Sequence, residues 1–343
     1  MYDLVIVTHI PVFYKVNLYN ELAKKLEILV IFVAKNTNEQ RAADFITLGN
    51  SKFEYRVLYD GDLEERSIIS NIINLRNILK EYQYKRILVG GWNLKEFWYL
   101  IFVNHKSKNF LVLESTVNES KLDFIRYVMK KLFLNRISLV YASGAVHKDL
   151  LDQLHFKGKV HITKGVGIIN KPSLSYIKRE YKKRFLYIGR LSKEKNIEIL
   201  VDVFNNLHDH TLTIIGTGPL ELSLKNKSRE NIIFKGQIDN KELKHYFNNN
   251  NILLLTSISE TWGLVAEEAL YFGIPVIVSN NCGVCEIIKD SVNGYIVDLK
   301  ISKNIENTIL QIDNKIYQKL VDGVEKYSIN NKDIEQVRVY FAK

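Results

Sequence analysis

Cysteine is nearly missing from this chain: Cys282 and Cys285 are its only two in 343 residues. A disulfide framework is therefore not expected. A tetrahedral zinc site would need two ligands beyond this Cys-Gly-Val-Cys pair, and no second Cys pair supplies them. Proline is also scarce, with four residues, and no low-complexity tract is present, which argues against a disordered tail or linker. No apolar run approaches membrane-spanning length, and Tyr2-Asp-Leu-Val-Ile-Val-Thr8 reads directly as a first strand rather than a targeting segment. A cytoplasmic protein is expected. No segment repeats at a fixed period. No helix-turn-helix, zinc or RNA-binding motif is found, so nucleic acid is not an expected partner despite a net charge of +10.

What is present is the composition of a two-domain globular protein: 46% hydrophobic and 25% charged residues, in a chain longer than one core usually organises. Strand-like runs at Leu4 to Thr8, Ile28 to Ala34, Arg86 to Gly90, Phe110 to Leu113 and Leu139 to Ser143 alternate with helical stretches. That alternation predicts α/β architecture with doubly wound parallel sheets. Strand patterning lapses and charge rises between residues 169 and 184. The chain is therefore divided into domains 1–170 and 171–330, with a C-terminal helical stretch, 331–343, expected to cross back onto the first domain.

The second domain carries the strongest chemical pattern. Ile252-Leu-Leu-Leu-Thr256 reads as a buried strand, and Val265, Ala266, Ala269 and Leu270 as the buried face of the helix after it. Gly263 then falls at the helix start, where backbone N–H groups and the dipole favour an anion or a sugar hydroxyl. Glu260 in the loop and Glu268 in the helix can face one crevice, where carboxylates accept hydrogen bonds from vicinal hydroxyls. The competing reading makes Glu260 a helix cap, Glu267 solvated and Glu268 an ordinary surface acid. Upstream, Arg184 to Arg190 reads as a strand ending in Gly-Arg, and Leu191-Ser-Lys-Glu-Lys195-Asn196 opens a helical pattern running to about Leu207. Arg190 and Lys195 would thus lie beyond a strand's carboxyl end, where two cations can neutralise a leaving diphosphate.

The string Gly189-Arg190-Leu-Ser-Lys193-Glu-Lys195-Asn196, then Ile214-Ile-Gly216-Thr-Gly218-Pro219, Phe234-Lys-Gly236, the Glu260/Glu268 segment, Gly273-Ile-Pro275-Val276 and Asn293-Gly294-Tyr295 resembles the retaining nucleotide-sugar glycosyltransferases of family 4. The resemblance covers nearly the whole second half and is of the bacterial surface-polysaccharide type. It implies a GT-B enzyme, two Rossmann-like domains facing an interdomain cleft. In that family the residues matching Arg190 and Lys195 hold the diphosphate, the glutamate matching Glu260 contacts the donor sugar, and that matching Glu268 binds the ribose. Backbone at Gly263, Leu264 and Val265 approaches sugar and phosphate; Gly236, Gln237 and Ile238 flank the base, and Gly216 belongs to the donor-binding set.

The first domain resembles the family less closely. Thr8-His9-Ile-Pro11 looks like the version with proline and a basic residue before a helix, and Val89-Gly90-Gly91-Trp92-Asn93 and Leu113-Glu114-Ser115-Thr116 look like stretches lining the cleft. Many members carry a histidine where this chain has Glu114-Ser115-Thr116, so no catalytic histidine is assigned. His9, Trp92, Glu114 and Ser115 remain cleft or acceptor candidates, with structural roles for His9 and Trp92 the ordinary alternative. Residues 1 to 165 hold 24 basic and 17 acidic residues, +7. Within them Lys121 to Arg136 combines apolar positions with spaced cations, which suits either an anionic membrane surface or a core helix with a solvated basic face.

Asp60-Gly61-Asp62 has the Asp-x-Asp form of metal-dependent glycosyltransferases of another fold, but it fits a surface turn. With Arg190 and Lys195 available, no metal and no cofactor is expected. The expected activity is retaining transfer from a nucleoside diphosphate sugar, by family precedent UDP, to a hydroxyl of a lipid-linked or saccharide acceptor in O-antigen, capsule or lipopolysaccharide synthesis. The alternatives are a GT-B sugar-nucleotide epimerase and a catalytically silent partner subunit.

Overall fold

The computed structural model describes residues 1–39, 42, 44–117, 119–120, 123–174 and 179–341. Lys121 of the basic stretch, positions 175–178 of the expected boundary and Ala342 of the last helical stretch lie outside the described residues. The chain divides into two compact units, residues 1–170 with 333–343, and residues 171–332.

The first unit contains β1 (Tyr2–Thr8), β2 (Ile28–Phe32), β3 (Glu54–Val57), β4 (Tyr84–Val89), β5 (Asn109–Leu113), β6 (Leu139–Ala142) and β7 (Lys159–Ile162). They form a seven-stranded sheet of order β3-β2-β1-β4-β5-β6-β7. Every pairing is parallel. A parallel sheet needs cover on both faces, and the central strands show why this one forms. Val5, Val7, Leu29, Ile31, Ile87 and Val89 bury one face. Their neighbours Leu4, Ile6, Ile28, Val30 and Leu88 bury the other.

The second unit contains β8 (Arg184–Ile188), β9 (Thr211–Ile215), β10 (Ile232–Phe234), β11 (Ile252–Leu255), β12 (Val276–Ser279) and β13 (Gly294–Val297). Their order, β10-β9-β8-β11-β12-β13, repeats the first six positions of the other sheet, again with parallel pairing throughout. Both sheets are doubly wound, and their strand order reverses between β1 and β4 and between β8 and β11. Ligands of such sheets bind outside the carboxyl ends of the strands at that switch point.

The apolar runs mark the central strands to within one or two residues. β3 and β7 were not singled out because they are edge strands whose residues are only half-buried or exposed. The closing helix runs Ile329–Val339. From residue 333 on it belongs to the first unit, where Tyr340 stacks on Tyr141 with ring centroids 4.3 Å apart. No helix among the described residues is long and apolar enough to cross a membrane.

Candidate functional site

The switch point of the second unit gathers the charged residues singled out above. β8 ends at Ile188, and the chain passes through Gly189 and exposed Arg190 into a short 3-10 turn, Lys193–Lys195. The turn ends at Asn196, whose left-handed backbone (φ 52°) redirects the chain into the helix Ile197–Asn206. Asparagine tolerates that conformation better than most residues. The Tyr187 hydroxyl donates to the Arg190 carbonyl at 2.9 Å, which anchors the loop to the core. Burial pushes that phenol well above its usual pKa, so it remains a donor.

The loop after β11 meets this turn directly. The Ile258 amide donates to the Glu194 carbonyl at 2.8 Å, and the Lys195 ammonium donates to Glu260 Oε2. The side chains of that pair are 22% and 15% exposed, enclosed enough to matter yet open to a ligand. Ser257 Oγ also donates to Glu260 Oε2, at 3.3 Å. The backbone of Glu260 is fixed from the other side, where the Gly283 amide donates to its carbonyl at 3.0 Å. Glu260 is therefore a ligand of Lys195, not a helix cap.

Gly263 caps the helix Leu264–Tyr271 with φ 106°. A Cβ there would lie 2.6 Å from Leu255 Cδ2, so backbone geometry and packing both require glycine. The first amides of this helix, Leu264 and Val265, lie outside the intrahelical ladder and carry the positive end of the dipole. Glu268 is half-buried one turn further on, and its carbonyl accepts from Phe272 N at 2.9 Å.

Three strand ends on the other side of the switch point end in glycine. The Gly216 amide donates to the Gly236 carbonyl at 2.7 Å. A Cβ on Gly216, at φ 127°, would overlap the carbonyl oxygen of Gly189. Gly189, Gly216 and Gly236 thus line up across the ends of β8, β9 and β10 with their backbones in near contact. A Cβ on Gly236 would meet nothing within 4 Å, so the row opens outward there. Gln237 is exposed and Ile238 half-buried beside it.

Glu267 goes against the competing reading. It is fully buried rather than solvated, because Trp262 Nε1 donates to its Oε1 at 2.5 Å and Lys332 Nζ to its Oε2 at 2.8 Å. The pair ties the start of the closing helix to the helix behind Gly263. No local pattern identifies a partner 65 residues away in sequence; the only hint was a second carboxylate on the apolar side of a short helix.

Cys282 and Cys285 are free thiols. Cys282 lies against Ser279 Oγ at 3.3 Å, and burial pushes the two thiols up to about 12 and about 11. They are structural residues behind the Glu260 loop. A groove of about 880 Å³, lined in part by Leu174, Arg179, Lys244, Tyr271 and Gln318, shares no lining residue with the Lys195–Glu260 site.

In the first unit, His9 follows β1, and its Nε2 lies 2.9 Å from Asn93 Oδ1. Its ring packs edge-on against Phe97. Burial holds its pKa below the usual value, which favours the neutral ring. Glu114 is ion-paired with buried Lys15, and Ser115 is half-buried beside it. One face of Trp92 is covered by Lys130 Nζ, 4.7 Å from the ring centroid. Asp60 lies in a surface turn and pairs with Lys35 at 2.7 Å.

Residues 174–322 match the family model described as glycosyl transferases group 1. An uncharacterised protein in the cps region of Klebsiella pneumoniae is 34% identical over 40% of this chain and 38% of its own length. The O-antigen biosynthesis glycosyltransferase WbnH of Escherichia coli is 26% identical over 75% of this chain and 73% of its own. Anabaena HepE, solved in complex with UDP-glucose, superposes with a TM-score of 0.70 over 99% of this chain and 100% of the other at 14% identity, a likeness of fold.

Proposed function

Residues 174–322 match the glycosyl transferases group 1 and the chain has the GT-B fold, and from that premise we propose that it is a glycosyltransferase of this group that transfers a sugar from UDP-sugar to a hydroxyl acceptor with retention of configuration. The observation that carries the reading is the Lys195–Glu260 pair at the switch point, between a glycine row and a helix start. Its ammonium can be shared with a diphosphate, and its carboxylate can accept hydrogen bonds from sugar hydroxyls. Arg190, exposed on the same loop, supplies a second cation. As the glycosidic bond breaks, negative charge grows on the β-phosphate, and these two cations stabilise it more than in the ground state. The released phosphate then takes the proton of the incoming hydroxyl, and no metal is needed. Glu268 binds the ribose, and the open backbone at Gly236 flanks the base.

The bound UDP-glucose of the Anabaena structure supports UDP as the donor nucleotide, and the cps-region and O-antigen relatives support an acceptor in surface-polysaccharide synthesis. We assign the acceptor, lipid-linked or saccharide, to the first unit. The test is a thermal-shift screen against UDP, GDP, ADP and dTDP sugars, with EDTA and with divalent metal, repeated on Arg190→Ala. A ligand at a hundredfold its Kd adds about 2.7 kcal/mol. Stabilisation by UDP-sugar in EDTA, lost in the variant, is expected. No response to any nucleotide sugar removes the donor assignment. The anomeric proton coupling of the product, read by NMR, decides retention.

A further inference from the structure

The helix Phe124–Leu134 of the first unit buries only Phe133 and Leu134. Phe124 is 81% exposed and Ile125 70%, and Val128, Met129 and Leu132 are exposed as well. At about 100° per residue these five positions form one continuous stripe roughly 140° wide on the solvent side. A helix covering core would place them inward; here the inner face is Phe133 against Trp98 with Lys130 over Trp92. Trp98 stacks in turn on Phe102, and Phe102 and Val103 are also exposed, which extends the apolar surface onto the neighbouring helix Lys95–Val103. Contiguous exposed apolar surface of this kind marks an interaction site.

Cations border it. By the same helical geometry Arg126 and Lys131 fall on opposite margins of the stripe. Arg136 lies over the Phe102 ring at 5.7 Å, and exposed Lys106 and Lys108 follow Val103. The one acidic residue of this helix segment, Asp123, is used as its N-cap, accepting from Arg126 N at 2.8 Å. We propose that this face docks on an anionic lipid bilayer, the stripe entering the acyl boundary while the flanking cations meet lipid headgroups. The inference rests on the lipid-linked acceptor reading for its purpose, since an enzyme held at the bilayer meets such an acceptor in two dimensions. The charge border favours a membrane over a protein partner, because Lys106, Lys108, Arg126, Lys131 and Arg136 outnumber the single carboxylate of this helix segment, Asp123, which pairs with Arg126 at 3.4 Å.

The test is co-sedimentation with phosphatidylcholine vesicles made with and without phosphatidylglycerol. The intact protein is expected to bind the anionic vesicles at least about tenfold more tightly than the neutral ones, and less tightly in high salt. The triple variant Phe124→Ser, Ile125→Ser, Met129→Ser is expected to lose binding by at least about tenfold with an unchanged Tm, because the replaced side chains touch water. Arg126→Gln with Lys131→Gln should weaken only the anionic preference. Wild-type protein left in the supernatant, or a triple variant that binds as wild type, overturns the proposal. So does a concentration-dependent dimer, lost in the triple variant, without vesicle binding; that result assigns the face to a second copy. Nucleotide thermal shifts on the same samples keep the two readings apart: vesicle binding without a nucleotide response supports this surface while removing the donor assignment.

Discussion

The two sheets have the same strand order, yet their strand ends differ. In the first unit β1, β2 and β3 run out into half-buried His9 and buried Val33 and Leu58. In the second, the corresponding β8, β9 and β10 run out into Gly189, Gly216 and Gly236. Side chains cover the first set of ends, whereas glycine leaves bare backbone at the second, with open space at Gly236. The charges differ in the same sense: His9 meets neutral Asn93, while Lys195 meets Glu260 in a partly open pair. Topology places a crevice at each switch point, and it is the loop chemistry of the second that we propose takes a diphosphate.

The largest expected effect tests that contrast at its centre. Lys195→Ala, Arg190→Ala and Glu260→Gln should each lower kcat/KM by about two to three decades with the fold intact, since losing a charged contact costs a few kcal/mol. His9→Asn, at the matching place in the first unit, should cost less than about tenfold. A His9 variant as impaired as Lys195→Ala, or a near-normal Arg190→Ala and Lys195→Ala double variant, breaks the comparison.

Next in size is the support behind the site. Glu267→Gln leaves Lys332 charged and buried, and calorimetry should show a loss of about 3 kcal/mol. Replacing both residues by leucine should recover much of it, as the cost arises from breaking a buried pair.

A smaller effect sharpens the glycine argument. Gly236→Ala points its methyl into open space and adds only about 1 kcal/mol of left-handed backbone strain. It should raise the donor KM more than it lowers kcat. Gly216→Ala, which collides with Gly189, should instead lower Tm.

The smallest effects belong to the first unit. The fold favours neutral His9, so its contribution is fully present above the ordinary value of 6.5 and erodes as pH falls below it. Chemical denaturation between pH 5 and 7 should show a slope that is shallower in His9→Asn. Asp60→Ala, in an exposed pair with Lys35, should leave turnover and its metal response unchanged; a loss restored by divalent cation would give the Asp-x-Asp turn a role in the chemistry.

Legibility in the sequence followed burial and proximity. Ile28 to Phe32 and Ile252 to Leu255 are apolar throughout because both faces of a central parallel strand are covered, so a short window contains the whole signal. Edge strands such as Glu54–Val57 face solvent and carry no such signal. Lys195 and Glu260 were legible as candidates because glycine, cation and carboxylate recur at strand ends, although their hydrogen bond was not. The burial of Glu267 was not legible because it depends on Lys332, 65 residues away.

The sequence by itself determined the doubly wound architecture, the strand-end glycines and the residues proposed to carry the chemistry, since periodicity and local backbone demands are written within a few neighbouring positions. Only the tertiary structure decided which carboxylate pairs with Lys195, which is locked behind the site by a distant lysine, and whether the basic helix Phe124–Leu134 turns its apolar stripe inward or toward water. Each of those is a contact, or a missing cover, between segments far apart in the chain, and no local pattern encodes what packs against it.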